Sequence, residues 1–116
     1  MKNYKEELTR WLNDLNYVKT DEEVKIHNKA MTKIGKLFKD IKELEDKSFL
    51  LDLLYIDNKR AQVSIAARCI WLGVYVEEAI QVLQSYINDD NWQIRLTSKT
   101  LLERYEKNGY LTFCDD

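Results

Sequence analysis

The chain has 116 residues, of which 45% are hydrophobic and 33% are charged, and its formal net charge is −2. A domain of this length can bury roughly two-thirds of the surface that its unfolded chain exposes, so it can form one core without disulfides or metals. The supply of Leu, Ile, Val and aromatic residues excludes an intrinsically disordered composition. Each half carries a small excess of acid, which excludes a strongly basic nucleic-acid-binding chain but leaves room for local basic patches.

The chain contains no proline and three glycines, so Asn, Asp and single glycines must mark the ends of its helices. A first helix is predicted over residues 4–17, where apolar residues stand at helical spacing. A long amphipathic helix is predicted over about residues 21–46, because apolar residues recur there every three or four positions. Thr20 and Glu23 match a capping box at its start, in which each side chain bonds to the other residue's backbone.

Four further helices and a tail complete the predicted elements. A short apolar helix is expected after Ser48, a candidate cap, and it ends at Asn58. The next helix is predicted over residues 60–72, and Gly73 follows it at the position where a left-handed residue commonly ends a helix. The remaining segments are helices over residues 76–87 and 91–107 and a tail without helical period over residues 110–116.

Two stretches of the chain resemble each other at a spacing of 31 residues: YIDNKRAQVSIAARCIWL, from residue 55, and YINDDNWQIRLTSKTLLE, from residue 86. Such a spacing is typical of a repeated pair of helices. The small pair Ala66-Ala67 of the first stretch corresponds to Thr97-Ser98 of the second, and small side chains there would let neighbouring helices pack closely. The sequence therefore predicts an all-α fold, a short right-handed α-solenoid of antiparallel helix pairs with about six helices.

The stretch AQVSIAARCIWL resembles the second helix of HEAT-type repeats, in which a turn is followed by Val, a small pair and Leu. The region from about residue 24 to residue 87 is similar to a small bacterial HEAT-like family catalogued as a domain of unknown function, whose pattern includes Asn28, Ala79 and Leu83 in this chain. The resemblance implies no catalytic residues. The expected organisation is one HEAT-like domain over residues 1–116, made of an N-terminal helix pair (1–46), a first repeat (47–73), a second, capping repeat (74–109) and a tail (110–116).

Candidate catalytic groups are few. His27 is the single histidine and lies on the apolar face of the long helix, where a hydrogen-bonded core-edge side chain is the ordinary role and a general base working with a carboxylate is the alternative. The acidic pairs at residues 22–23, 77–78 and 89–90 fit helix caps and helix dipoles better than paired catalytic carboxylates. We therefore expect a protein that is not an enzyme.

The two cysteines, Cys69 and Cys114, lie far apart, and neither has a partner at metal-ligand spacing. Both are expected to be free thiols, and Cys69 a small buried side chain, because it stands in an apolar run. The first residues lack the apolar core of a signal peptide, and no apolar stretch reaches the ~20 residues of a membrane span. We expect a cytoplasmic protein with no metal, no cofactor and no membrane partner.

The leading functional candidate is a cationic–aromatic ridge on the second helices of the two repeats. Arg and Trp are overrepresented among the residues that dominate binding energy at interfaces, and helical repeats present such surfaces to partners. The predicted partner-binding residues are Arg68, Trp71, Trp92, Arg95 and Lys99. The sequence thus predicts a non-catalytic module that binds an acidic protein surface, of which an immunity or antitoxin-like protein is one form. The alternative is that both tryptophans belong partly to the core.

A stripe of lysines on the long helix supports a second candidate function. Lys25, Lys29, Lys33 and Lys36 lie opposite its apolar face and could bind the phosphates of nucleic acid. Interleaved acidic residues such as Asp40 favour an ordinary solvated face. Nucleic acid is therefore the alternative partner.

Overall fold

In the computed structural model, which describes residues 3–15 and 20–111, every regular element is an α-helix. The helices are α1 (Tyr4–Leu12), α2 (Asp21–Ile41), α3 (Phe49–Leu53), α4 (Lys59–Leu72), α5 (Val76–Ser85) and α6 (Trp92–Asn108). The prediction of an all-α fold is confirmed for this part of the chain. None of these helices is both long enough and apolar enough to cross a membrane.

One cluster of buried apolar side chains draws on all of these helices. α2 and α5 each bury a single face, whereas α4 is buried on nearly every side, since Val63, Ile65 and Ala66 point in different directions and all are buried. α4 contacts α3, α5 and α6. α6 has only Ile94 and Ser98 fully buried. The sequence pattern predicted this contrast between a helix enclosed by neighbours and a helix with one wet face.

Three of the four small residues that the two similar stretches share are buried, whereas Thr97 is partly exposed. Ala66, Ala67 and Ser98 are all inaccessible or nearly so, and α4 and α6 are in contact. Small side chains on facing helices let the two backbones approach closely, so the burial of these positions is what close packing of α4 on α6 requires. The 31-residue spacing therefore preserves which side of each helix faces the core.

The starts of the two matched helices do not keep that spacing. α4 is capped by the side chain of Asn58, which accepts a hydrogen bond from the backbone N–H of Ala61 at 3.1 Å. The matching residue in the second stretch is Asp89, but α6 is capped two residues later by Asn91. Asp89 instead pairs with Lys59 at 2.7 Å and accepts a bond from the backbone N–H of Asn91. The bond from Lys59 is the main reason that the pKa of Asp89 is lowered.

Three predicted helices end earlier than expected, and the smallest difference is in α5, which ends at Ser85 rather than at residue 87. α1 ends at Leu12, and the rest of its predicted span that the structure describes, residues 13–15, forms a turn; residues 16–19 lie outside the described part of the chain. α2 ends at Ile41 rather than at residue 46, because the backbone tightens there and Leu44 donates to the carbonyl of Ile41, three residues back. Apolar residues continue at helical spacing beyond Ile41, but the regular backbone hydrogen bonds of the α-helix do not.

The predicted caps at Thr20 and Gly73 form, whereas the predicted cap at Ser48 does not. The Thr20 side chain accepts from the backbone N–H of Glu23 at 3.1 Å, as the capping box requires, while the reciprocal contact joins the Thr20 hydroxyl to the Glu23 carboxylate. Ser48 makes no side-chain cap, because its own backbone is already helical. Gly73 ends α4 in the left-handed conformation, with φ of 76°, as predicted.

Candidate functional site: a groove between three helices

Two adjoining cavities form a groove between α2, α4 and α6. The inner cavity has a volume of about 150 Å³ and the outer cavity about 350 Å³. His27, Arg60 and Thr97 line both of them. Among the described residues, the lining of the groove comprises Leu15, Val24, His27, Asn28, Met31, Arg60, Val63, Ser64, Ala67, Trp92, Gln93, Leu96, Thr97 and Leu101.

Helical periodicity explains how α2, α4 and α6 supply all of this lining except Leu15, which follows α1. On α4 the lining residues stand at positions 60, 63, 64 and 67, and on α2 at 24, 27, 28 and 31. Residues at such spacing form one edge of a helix. Ser64 and Ala67 are small, so the middle helix leaves space where a larger side chain would fill it.

Large apolar side chains are exposed along the outer cavity. Trp92 is 60% exposed, Leu96 56% and Val24 37%, and all three line that cavity. Isolated exposed apolar residues are ordinary, but a contiguous set beside a cavity is typical of a binding surface. These three side chains form one exposed apolar surface along the outer cavity.

Arg60 is the one arginine, lysine, aspartate or glutamate that lines the groove in the described part of the chain. The sequence has 20 Asp and Glu residues, yet no carboxylate lines either cavity in the described part of the chain. Burial lowers the pKa of His27, and the positive charge of Arg60 lowers it further. Near pH 7 His27 is therefore neutral and Arg60 carries the charge. The Nδ1 atom of His27 is buried and has no hydrogen-bond partner among the described residues.

The lowered pKa of His27 makes stability depend on pH. The unfolded chain binds a proton at this residue more readily than the folded chain does, so the free energy of unfolding should fall as the pH drops below about 6.5. In His27→Gln we expect a shallower fall between pH 7.5 and pH 5.5, a window above the titration of ordinary carboxylates. Urea unfolding at several pH values measures both slopes, and equal slopes would show that His27 does not titrate differently on folding.

His27 lies close to the hydroxyls of the same cavity but is not hydrogen-bonded to them. Ser64 and Thr97 line the inner cavity with His27, and no carboxylate in the described residues of the groove stands ready to orient the imidazole. A nucleophile activated by histidine needs both contacts. Nor do His, Cys, Asp and Glu residues in the described ranges come together in a group of three that could hold a metal ion.

Cys69 is enclosed in the core, as predicted. Its side chain is buried, and burial together with the negative charge of Glu78 raises the pKa of its thiol to about 12. A thiol with such a pKa stays protonated and is a poor nucleophile. Cys114, the other predicted free thiol, lies outside the described residues.

The structure separates the predicted ridge into two parts. Arg68 is only 3% exposed, and its guanidinium lies 5.5 Å from the ring centre of Phe38 and 5.3 Å from that of Trp71. Trp71 is partly buried, and Lys42 of the neighbouring region lies 5.2 Å from its ring centre. Arg68 therefore offers no surface to a partner, because α2 and its following turn cover this side of α4.

The α6 part of the ridge stays at the surface. Trp92 and Lys99 are exposed, and at ~100° per residue they lie within about 20° of each other around the helix. Arg95 lies on the flank and donates a hydrogen bond to the backbone carbonyl of Asp89 at 2.7 Å. The structure thus joins Trp92 and Lys99 with Leu96 in one exposed stripe beside the groove.

The predicted lysine stripe lies on another side of α2. Lys25, Lys29 and Lys36 are exposed and Lys33 is partly exposed. Lys29 lies 5.9 Å from the ring centre of Trp11 on α1. At ~100° per residue these lysines are on average more than a third of a turn away from the groove-lining edge of α2, so the two surfaces are distinct.

Sequence reasoning missed most of the groove. It did not single out Val24, Arg60 or Leu96, although Leu96 on the otherwise polar side of α6 was a signal that could have identified a contact surface. Comparisons of the chain with protein-family models, with curated proteins and with solved structures found no match. The function must therefore be argued from the chemistry of the groove.

Proposed function

We propose that this protein is a non-catalytic interaction module that binds an acidic, partly apolar segment of another protein in the groove between α2, α4 and α6. The observation that carries the proposal is the exposure of Trp92, Leu96 and Val24 around a groove whose charge comes from Arg60. Aromatic and arginine side chains are the residue types that dominate binding energy at interfaces. An immunity or antitoxin-like protein remains one concrete form of such a module.

We infer that the helices form a HEAT-like stack, with α2, α4 and α6 as its inner layer. In support, Arg60 and Gln93, near the starts of α4 and α6, both line the outer cavity, and Ala67 and Leu101, farther along the same helices, both line the inner cavity. α1 contacts α3 in the other layer, and α5 packs on both α4 and α6. Stacked repeats bind partners along the surface of one layer, which is where the groove lies.

Of the residues in the predicted ridge, Trp92 and Lys99 contribute to binding, and Arg95 lies at the margin of the binding surface. Arg68 and Trp71 belong to the packing between α2 and α4 and take no part in binding. The acidic character of the expected partner follows from the exposed Lys99 beside the groove, because like charges facing each other across an interface are strongly disfavoured.

Partner capture with groove variants tests the proposal. Truncating a dominant interface residue costs about 2 kcal/mol, so Trp92→Ser/Leu96→Ser should bind a captured partner at least a hundredfold more weakly, since each 1.4 kcal/mol is about tenfold. The matched control is Tyr55→Ser/Ile26→Ser, which removes side chains that are 61% and 47% exposed and do not line the groove. The partner is first captured from native lysate and then titrated against each variant. Equal affinity of the groove and control variants would refute the groove as the binding surface.

Nucleic acid is the second candidate, and the exposure of Lys25, Lys29 and Lys36 along α2 favours it. Binding through phosphate contacts weakens steeply as salt rises. Retention on immobilised DNA or RNA at low salt, lost in Lys25→Gln/Lys29→Gln/Lys36→Gln and unchanged in Trp92→Ser/Leu96→Ser, would support this function. No retention at low salt would eliminate it.

A further inference from the structure

We propose that the protein forms a two-fold symmetric dimer, in which an outer stripe of α6 packs against the same stripe of a second copy in antiparallel orientation. The outer stripe consists of the exposed residues Trp92, Leu96, Lys99, Glu103 and Glu106. Self-association requires no other protein, so this inference goes beyond the proposed function and can fail independently of it.

The outer stripe runs straight along α6 and faces away from the core. Its residues stand at alternating intervals of four and three positions, so at ~100° per residue all of them lie within about 40° of Trp92 around the helix. The fully buried residues of α6, Ile94 and Ser98, lie about 120–160° away from Trp92. Alternating intervals of four and three are those with which two helices keep one seam in contact along their length.

Large apolar side chains stand on this outward face. Trp92 and Leu96 are more than half exposed, and so is Tyr110, just beyond the end of α6. The last helix of a stack of repeats ordinarily has a polar outer face, because no further repeat covers it. A second α6 packed on the outer stripe would remove these side chains from water, which is favourable in proportion to the apolar area covered.

The distribution of charge along α6 identifies a second copy as the occupant of this face. Arg95 and Lys99 stand in the first half of the helix, and Glu103 and Glu106 stand in the second half. An antiparallel pair sets the cations of one helix opposite the acids of the other, whereas a parallel pair sets like charges opposite each other. Lys107 lies on the flank away from Arg95, so these two cations do not meet. A two-fold axis across α6 produces the antiparallel arrangement.

A two-fold axis at the level of Leu101 gives the register of the pair. Lys99 of each copy then faces Glu103 of the other, so this ion pair occurs twice. Trp92 reaches the level of Tyr110 of the second copy, which places aromatic side chains together at both ends of the contact. Leu101 is close to the middle of α6, so the two helices overlap over nearly their whole length.

The expected dimer is weak and sensitive to salt. A single helix packed on its copy makes an interface at the small end of the range for specific complexes, so we expect a Kd on the order of 10–100 µM. Salt screens exposed ion pairs and should weaken the association. The dimer covers Trp92 and Leu96, which also line the outer cavity, so a second copy and a partner bound in the groove exclude each other.

Charge reversal tests the register by sedimentation equilibrium. Lys99→Glu sets acid against Glu103 of the second copy, and Glu103→Lys sets a cation against Lys99, so each variant should self-associate at least tenfold more weakly than the wild type. An equimolar mixture of the two variants should regain the wild-type Kd, because opposite charges face each other again at both positions. Lys36→Glu and Glu43→Lys, matched charge changes at exposed positions outside α6, should associate like the wild type.

Three results would overturn the dimer. The first is a wild-type chain that remains monomeric at low salt and at about ten times the expected Kd. The second is self-association that Lys99→Glu and Glu103→Lys leave unchanged. The third is a loss of association in these variants that mixing them does not restore, because the two charges would then not face each other across a two-fold axis.

The Glu103→Lys variant separates this inference from the proposed function. Glu103 does not line the groove, so this variant should lose self-association and keep its affinity for a captured partner. A monomeric wild type whose partner binding is lost in Trp92→Ser/Leu96→Ser would refute the dimer and leave the interaction function standing. A dimer with the expected charge dependence, combined with no effect of Trp92→Ser/Leu96→Ser on partner capture, would support the dimer and refute the interaction function.

Discussion

Replacing Phe38 by alanine is expected to lower the free energy of unfolding by about 3–5 kcal/mol, the range found when a buried phenylalanine is truncated. Phe38 is fully buried in the last turn of α2. Its ring also supports Arg68, whose guanidinium lies 5.5 Å from the ring centre. Truncation therefore removes core packing and the cation–π contact of a buried arginine together.

Urea denaturation of Phe38→Ala measures this effect, with Lys39→Ala as its control. Lys39 is the exposed neighbour of Phe38 in the same helix, and surface substitutions of this kind usually change stability by less than about 0.5 kcal/mol. A loss below about 1 kcal/mol in Phe38→Ala would mean that α2 and α4 do not pack as the structure shows. Partner binding should fail in this variant only as far as folding fails.

Ser98 is expected to respond in opposite directions to two substitutions. The side chain is fully buried, and its Oγ has no hydrogen-bond partner among the described residues. Ser98→Ala removes a buried hydroxyl that forms no bond there and should stabilise the protein by about 1 kcal/mol. Ser98→Leu inserts volume where α6 packs closely on the core and should destabilise it by about 1–3 kcal/mol.

Thermal and urea unfolding of the two Ser98 variants distinguish size from polarity. If both variants destabilise, the hydroxyl forms a hydrogen bond on which the fold depends. If both are neutral, the close approach of α4 and α6 at this position is incorrect, and the inferred stack loses its main support. The surface variant Lys99→Ala at the next position is the control.

The sequence located the helices well because the signals for them are local. Thr20 caps α2 and Gly73 terminates α4 through bonds and dihedral angles set by a few neighbouring residues. Burial of Ala67 and Ser98 was also predictable, because a repeated pattern of small and apolar residues identifies the side of a helix that faces its neighbours. Helix ends at Leu12 and Ile41 were less predictable, since apolar spacing continued beyond the last helical hydrogen bond.

The binding surface was less predictable, because periodicity shows which residues share an edge of a helix and not what covers that edge. Arg68 and Trp92 both suggested an exposed contact, but α2 covers the first and no described element covers the second. Nothing in the sequence distinguished Arg60 from other cations near the start of a helix. In the structure its charge acts on His27.

The sequence alone determined that the chain is helical and that its two similar stretches carry small residues that face the core. These features could be predicted because hydrophobic spacing and caps act within a few turns of one helix. Only the tertiary structure decided where a cavity remains and which charge lies in it. The cavity exists because α2, α4 and α6 meet where α4 carries the small residues Ser64 and Ala67, which leave space between the helices. The sequence pattern within one helix does not show how three helices meet.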